Sequence, residues 1–178
     1  MAARNRLPPW HEEIRLQDGR DILIRPVRPD DAGPLREGFA LLQPEEVRQR
    51  FLQPLGEMTP QAASRLCRPD PRNEFALVAA EPLPPGEALV GAVARAARVD
   101  DTKDAEFAIL VSHFISGQGL GRHLMRRLVR WARGKRFERL RGDVLADNTP
   151  MLALADSLGF QRTPHPADPA LVRVTLDL

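Results

Sequence analysis

Apolar residues recur along this chain with two periods. From Leu120 they fall at Leu120, Leu124, Leu128 and Trp131, a near four-residue spacing that predicts a helix with one buried stripe, ended at Gly134. Elsewhere they form short runs bounded by turn residues. Phe75 to Ala80 and Ala88 to Val99 read as strands joined by the Pro-rich loop Pro82 to Pro85. After the polar turn Asp100 to Asp104, Glu106 to Ser112 is the next strand. Leu140 to Leu145, Phe160 to Thr163 and Leu171 to Leu176 complete the set. Between them lies a helix from Asn148 to Leu158, with Asn148 or Asp147 as its cap and Gly159 as its stop.

The first part of the chain is patterned differently. Residues 1–11, with Pro8-Pro9, read as a loose lead-in to a single domain over 12–178. Glu13 to Gln17 and Asp21 to Val27 predict a hairpin, with Asp18-Gly19 as a type I′ turn pair. Pro29-Asp30-Asp31 gives helix-start chemistry for a segment reaching Gln43, with Leu35, Phe39, Leu41 and Leu42 as its apolar face. Pro44-Glu45-Glu46 opens a second helix through Phe51, and Thr59-Pro60 caps and opens a third. The order predicts a mixed α/β (α+β) domain with a largely antiparallel sheet. A doubly wound fold would alternate strand and helix from the start.

Composition narrows the class. At 178 residues the chain has the length of one domain with a real core. No apolar run nears the roughly 20 residues that span a bilayer, and Met1 to Trp10 lack the apolar stretch of a secretory signal. A lone Cys67 permits no internal disulfide, so a cytoplasmic setting is expected. A net charge of +2 is too small to argue for nucleic acid. The positive charge is uneven, however. Arg122, Arg126, Arg127, Arg130, Arg133, Lys135 and Arg136 crowd one helix and its exit, either as a solvated face or as a basic rim.

The chemistry concentrates at Ser116-Gly117-Gln118-Gly119-Leu120-Gly121-Arg122-His123, which follows an apolar strand and opens the long helix. Glycines leave the backbone bare, so amide N–H groups can converge on an anion, and the helix adds unpaired N–H groups and its positive dipole end. The loop lacks the Gly-Lys-Ser/Thr ending of a triphosphate P-loop, and no acidic residue stands at dinucleotide spacing. A pyrophosphate held without a metal fits better. His113 and His123 flank the loop with no second ligand at metal spacing.

Three segments, Glu106-Phe-Ala-Ile-Leu-Val111, Gly117-Gln-Gly-Leu-Gly-Arg122 and Asp147-Asn-Thr-Pro-Met-Leu152 to Leu158-Gly159-Phe160, resemble the GNAT N-acyltransferase superfamily. Ile24-Arg25-Pro26-Val27-Arg28-Pro29-Asp30-Asp31 resembles one branch of it, the bacterial protein lysine acetyltransferases called Pat. In Pat the domain usually ends a longer chain with a part similar to an acyl-CoA synthetase, which these residues do not contain. The resemblance implies a sheet of about seven strands and acetyl-CoA as donor. The backbone of Gly117, Gln118, Gly119, Leu120, Gly121 and Arg122 would hold the pyrophosphate. Leu110 and Val111 would pair with the pantetheine arm, and Asn148 would approach the cofactor. Ser116 stands where the superfamily carries Gln or Arg. Ala155 stands where many members carry a tyrosine acid, and the chain has no tyrosine.

Glu106 is a carboxylate in an otherwise apolar strand. It reads either as a strand-end residue facing water or as a general base. An amine acceptor with a pKa of about 10.4 arrives protonated, and a partly buried Glu could take that proton. The resemblance to Pat implies the base. A protein lysine, for example on an acyl-CoA synthetase, is then the expected acceptor. A small amine, an N-terminal amino group and a non-catalytic acyl-CoA sensor stand as alternatives. No metal, nucleic acid or membrane is expected, and the oligomeric state is left open.

Overall fold

The computed structural model describes residues 7–52 and 58–178; the first six residues of the expected lead-in lie outside them. In chain order the elements are β1 (Glu12–Arg15), β2 (Asp21–Pro26), α1 (Ala32–Ala40), α2 (Pro44–Phe51), α3 (Pro60–Leu66), β3 (Glu74–Ala80), β4 (Val90–Arg98), β5 (Asp104–Val111), α4 (Leu120–Gly134), β6 (Arg139–Leu145), α5 (Thr149–Ser157), β7 (Gln161–Pro164) and β8 (Leu171–Asp177). One eight-stranded sheet runs β1-β2-β3-β4-β5-β6-β8-β7, against the seven or so expected. All neighbours are antiparallel except β5 and β6.

The main core lies between the sheet and α4. Leu120, Leu124, Leu128 and Trp131 are all buried, as their spacing predicts. The β4 face beneath them is Ala92, Ala94 and Ala96, and the absence of bulk there lets the leucines of α4 approach the sheet. Each such leucine contributes about 1.5–3 kcal/mol by leaving water. Leu152 and Ala155 of α5 join the same core. Helices α1 and α2 cover the other face, against β4 and β5.

Three local readings change, and one at the end of α4 holds. Asp18-Gly19 is not a two-residue turn: Leu16 N–H bonds Arg20 C=O at 2.8 Å, which leaves a three-residue loop closed by Gly19 at φ 91°. Helix α1 stops at Ala40 rather than Gln43, so Leu41 is 62% exposed and not on the apolar face. Helix α4 ends at Gly134, as expected, with Lys135 as its C-cap and Arg136 following at φ 63°. Trp10 is docked rather than loose, its ring centroid 4.9 Å from that of Phe75.

The Arg25–Asp31 stretch explains itself once folded. The two side chains form a buried two-pronged ion pair at 2.8 and 2.7 Å, and Asp31 also accepts from Arg28 N–H at 2.7 Å. The fork pairs both charges, the condition under which an ion pair survives burial, although Arg25 Nε finds no acceptor among the described residues. It fixes the exit of β2 against the start of α1.

The parallel pair β5–β6 is short. Only Asp104↔Arg139, Ala105↔Leu140 and Glu106↔Arg141 are in register, and beyond them the strands part. Just past that point the Phe107 ring lies on the backbone of Gly142 and meets Phe160 edge-on at 5.6 Å. A Cβ on Gly142 would fall 2.5 Å from the Phe107 ring. We expect Gly142→Ala to cost about 1–3 kcal/mol through overpacking. Thermal unfolding should show a melting temperature lower by several degrees; an unchanged value would mean that the ring moves aside freely.

Candidate active site

A cleft of about 490 Å³ opens where β5 and β6 part. Its walls are Phe107 to Val111 of β5, Asp143 and Val144 of β6, Gly121 of α4 and Met151 and Leu154 of α5, with Glu46, Gln49, Arg50 and Phe51 of α2 on the other side of the sheet. The cleft therefore passes through the plane of the sheet. A ligand entering past α4 can present its end to a second molecule on the α2 side. The volume suits a small-molecule site.

Strand pairing fixes which backbone groups face this gap. Ser112 N–H bonds Gly91 C=O, and Val99 N–H bonds Asp104 C=O, within one continuous β4–β5 register. In an antiparallel ladder the bonded pairs alternate, so Glu106, Ala108 and Leu110 turn their backbone groups toward β4. Ile109 and Val111 turn theirs the other way, toward the place that β6 has left. The expectation for Leu110 is corrected on this ground. Its backbone is turned to Val93, and it gives the cleft only its side chain. Val111 keeps the assigned orientation, and Ile109 joins it.

The Gly-rich loop follows directly. Gly117 and Gly119 sit at φ 76° and 75°, left-handed conformations that a side chain disfavours. Gly119 is the N-cap of α4 and makes no side-chain cap bond. Among the described residues, no amide N–H from Ser116 to Arg122 finds an acceptor; the first that does is His123, on Gly119 C=O at 3.3 Å. An unpaired amide run at a helix start is a good match for a diphosphate. The loop is held from outside. Gln118 Oε1 accepts from Gln17 N–H at 3.0 Å, and Arg20 donates to Phe114 C=O at 2.6 Å. Ser116 Oγ donates to His113 C=O at 3.2 Å. Gln118 and Arg20 thus tie the loop to the β1–β2 hairpin.

Three members of the basic rim, Arg122, Arg127 and Arg130, are committed elsewhere. Arg127 is buried and donates to Glu12 at 2.7 Å and to Trp10 C=O at 2.6 Å. His123 meets Glu12 at 2.8 Å, Arg130 lies over the Trp10 ring, and Arg122 bonds Ser157 Oγ. These contacts tie α4 to the hairpin and to α5.

Glu106 stands at the last β5–β6 pair, where the strands begin to part. The expectation that it is partly buried is corrected: it is exposed, because its side of the sheet is left uncovered there. Among the described residues it makes no hydrogen bond and no ion pair. Both carboxylate oxygens are therefore available to an incoming group. Nearby, Asp143 is engaged by Arg173 at 3.0 Å and lies 3.4 Å from His165. The Arg173 guanidinium is held above its ordinary pKa by Asp143 first and by Glu106 to a smaller degree.

Asn148 caps α5, its Oδ1 accepting from Met151 N–H at 3.3 Å at the edge of the cleft. Asp147 is not the cap; it pairs with Arg48 at 3.0 Å. Glu46 receives His113 N–H at 2.8 Å and meets His113 Nδ1 at 2.6 Å. Helix α2 is thus tied to both banks of the cleft. Sequence reasoning missed these contacts, since Glu46 reads only as helix-start chemistry, a role it also fills by accepting from Gln43 N–H. Cys67 is buried, and burial, with Asp31 nearby, pushes its thiol up to about 11, which rules against a nucleophile. Ala155 is fully buried in the core, facing away from any acid role. Among the described residues no cluster of three metal-ligating side chains occurs, and no helix is long and apolar enough to cross a membrane.

Comparison with known proteins agrees with this geometry. The family model described as acetyltransferase (GNAT) domain matches residues 21–161. Acetyltransferase PA5475 of Pseudomonas aeruginosa is 31% identical over 94% of this chain and 89% of its own length. The crystal structure of the GNAT domain of S. lividans PAT superposes with a TM-score of 0.83 at 24% identity, covering 97% of this chain and all of that one. The cAMP-binding acyltransferase from Mycobacterium smegmatis gives 0.61 at 24% identity, covering 94% of this chain and 46% of that one.

Proposed function

The chain belongs to the GNAT acetyltransferase family, and from that premise we propose that its acceptor is a protein lysine, with Glu106 as general base. Its activity is that of an acetyl-CoA-dependent N-acyltransferase. What carries the fuller reading is a continuous path. It runs from the unpaired amides of Gly117 to Arg122, along the open backbone of Ile109 and Val111, to the free carboxylate of Glu106.

The residues fit coenzyme A on physical grounds. Each amide bond to a charged oxygen is worth about 1.5–3 kcal/mol. Four of them, less the cost of ordering, support a complex near −8 kcal/mol, or micromolar. Ile109 and Val111 offer N–H and C=O groups to the pantetheine amides as a strand would. When bound, acetyl-CoA supplies an activated acyl carbon. Glu106 takes the proton from the acceptor ammonium, directly or through water, because only the free amine attacks. An N–H at Ile109 or Val111 is placed to stabilise negative charge on the acyl oxygen. With Ala155 buried and no tyrosine in the chain, no side chain is assigned as acid; a thiol pKa of about 8.5 makes the thiolate a tolerable leaving group.

The lysine assignment is supported by the Pat-like motifs and by the exposure of Glu106 on an open face that a folded protein can reach. The full chain with acetyl-CoA should acetylate lysines of an acyl-CoA synthetase, read by mass spectrometry, faster than free amines at equal concentration. Faster transfer to small amines or to N-terminal amino groups would overturn the acceptor assignment, and CoA binding without transfer to any of them would leave a sensor.

A further inference from the structure

Resting on the acetyl-transfer reading, we propose that Arg50 recognises a carboxylate beside the acceptor amine, so that the preferred lysine is one flanked by an acidic side chain. Arg50 is the penultimate residue of α2, with its guanidinium over the Phe51 ring at 4.7 Å from the centroid, a cation–π contact. Other arginines around it are engaged. Arg48 pairs with Glu45 and Asp147, Arg95 with Glu74, and Arg98 with Asn73 and Thr102. Among the described residues Arg50 alone of these four has no hydrogen bond and no ion pair.

Its position gives that free fork a use. Arg50 borders the main cleft and also a shallow groove on the acceptor side that reaches Glu106. Residues 116–122 do not line that groove, so the diphosphate cradle lies outside it. The groove also carries Arg95, which Glu74 already pairs, and Arg98, with Asp100 and Glu106 as its acids, so Arg50 is its one guanidinium without a hydrogen bond or ion pair among the described residues. An acceptor with an amine for Glu106 and a carboxylate for Arg50 matches both ends. Arginine suits the task because its planar donors meet both carboxylate oxygens at once.

Energetics point the same way. Burial, with the like charge of Arg95, pushes the Arg50 guanidinium down to about 10. A desolvated cation without a counter-ion costs stability. A carboxylate arriving with the acceptor removes that cost, so the expense in the free protein becomes selectivity in the complex.

The test uses the full chain, acetyl-CoA and matched short peptides with a central lysine flanked by Asp and Glu or by Asn and Gln. A second arm compares a free amino acid with its carboxamide. The acidic peptide should exceed the amide peptide at least tenfold in kcat/KM. That ratio should fall to near 1 in R50Q and lie between in R50K. The R50Q melting temperature should not fall, because the unpaired charge is gone; a structural role would lower it. A ratio near 1 in the native chain, or a preference that survives in R50Q, overturns the inference while peptide acetylation itself upholds the parent reading. A preference confined to the free amino acid overturns the peptide source. Acetylation of no acceptor overturns the inference and the parent reading together.

Discussion

Glu106→Gln should lower turnover by about 10²–10⁴-fold, the usual contribution of a general base. The dissociation constant for CoA should stay within about twofold. The amide has the shape of the carboxylate but cannot accept the proton. Glu106 is exposed and without hydrogen-bond or ion-pair partners among the described residues, so its replacement breaks no internal contact. It also lies at the opposite end of the path from the Gly117–Arg122 amides. Thiol release by steady-state kinetics measures turnover, and calorimetry against CoA measures affinity. Equal turnover in the two proteins would remove Glu106 from the chemistry. Equal loss of turnover and of CoA affinity would make it a binding residue.

Gly119→Val should weaken CoA binding by about 10²-fold while leaving the fold in place. Gly119 has φ 75°, and nothing lies within 4 Å of where its Cβ would stand. The effect is therefore one of backbone conformation and not of collision. A left-handed residue with a side chain costs about 1–2 kcal/mol, and valine is among the worst. Relief of that strain turns the unpaired amides around it out of their present orientation. Loss of one or two bonds to charged oxygens, at about 1.5–3 kcal/mol each, accounts for the factor. Gly121→Ala is the matched control. Gly121 lies in the first turn of α4, and its Cβ would meet Leu154 at an ordinary 3.6 Å. Calorimetry should find strong loss for the first variant and little for the second. Equal affinities in all three proteins would place the diphosphate elsewhere.

Much of the Gly-rich loop's conformation was legible because its causes are local. Glycine at 117 and 119 permits positive φ whatever surrounds it. The spacing Leu120, Leu124, Leu128 and Trp131 is a property of one helix, and all four are buried. Asn148 caps the residues that immediately follow it. The element order and the mixed sheet followed from such segments, taken one at a time.

Other features needed the assembled sheet. Whether Leu110 or Ile109 opens its backbone to the cleft depends on the partner strand β4, through the parity of the bond from Ser112 to Gly91. The exposure of Glu106 depends on where β6 diverges and on which helix fails to cover that spot. Glu46 with His113, Arg48 with Asp147 and Glu12 with Arg127 join residues 67, 99 and 115 positions apart. The freedom of Arg50 is the same kind of fact, since it is defined by what its neighbours already hold. Residue types and short spacings set local conformation through forces that act over a few bonds. Burial, hydrogen-bond parity and charge pairing are set by which distant segments become adjacent, and packing alone decides that.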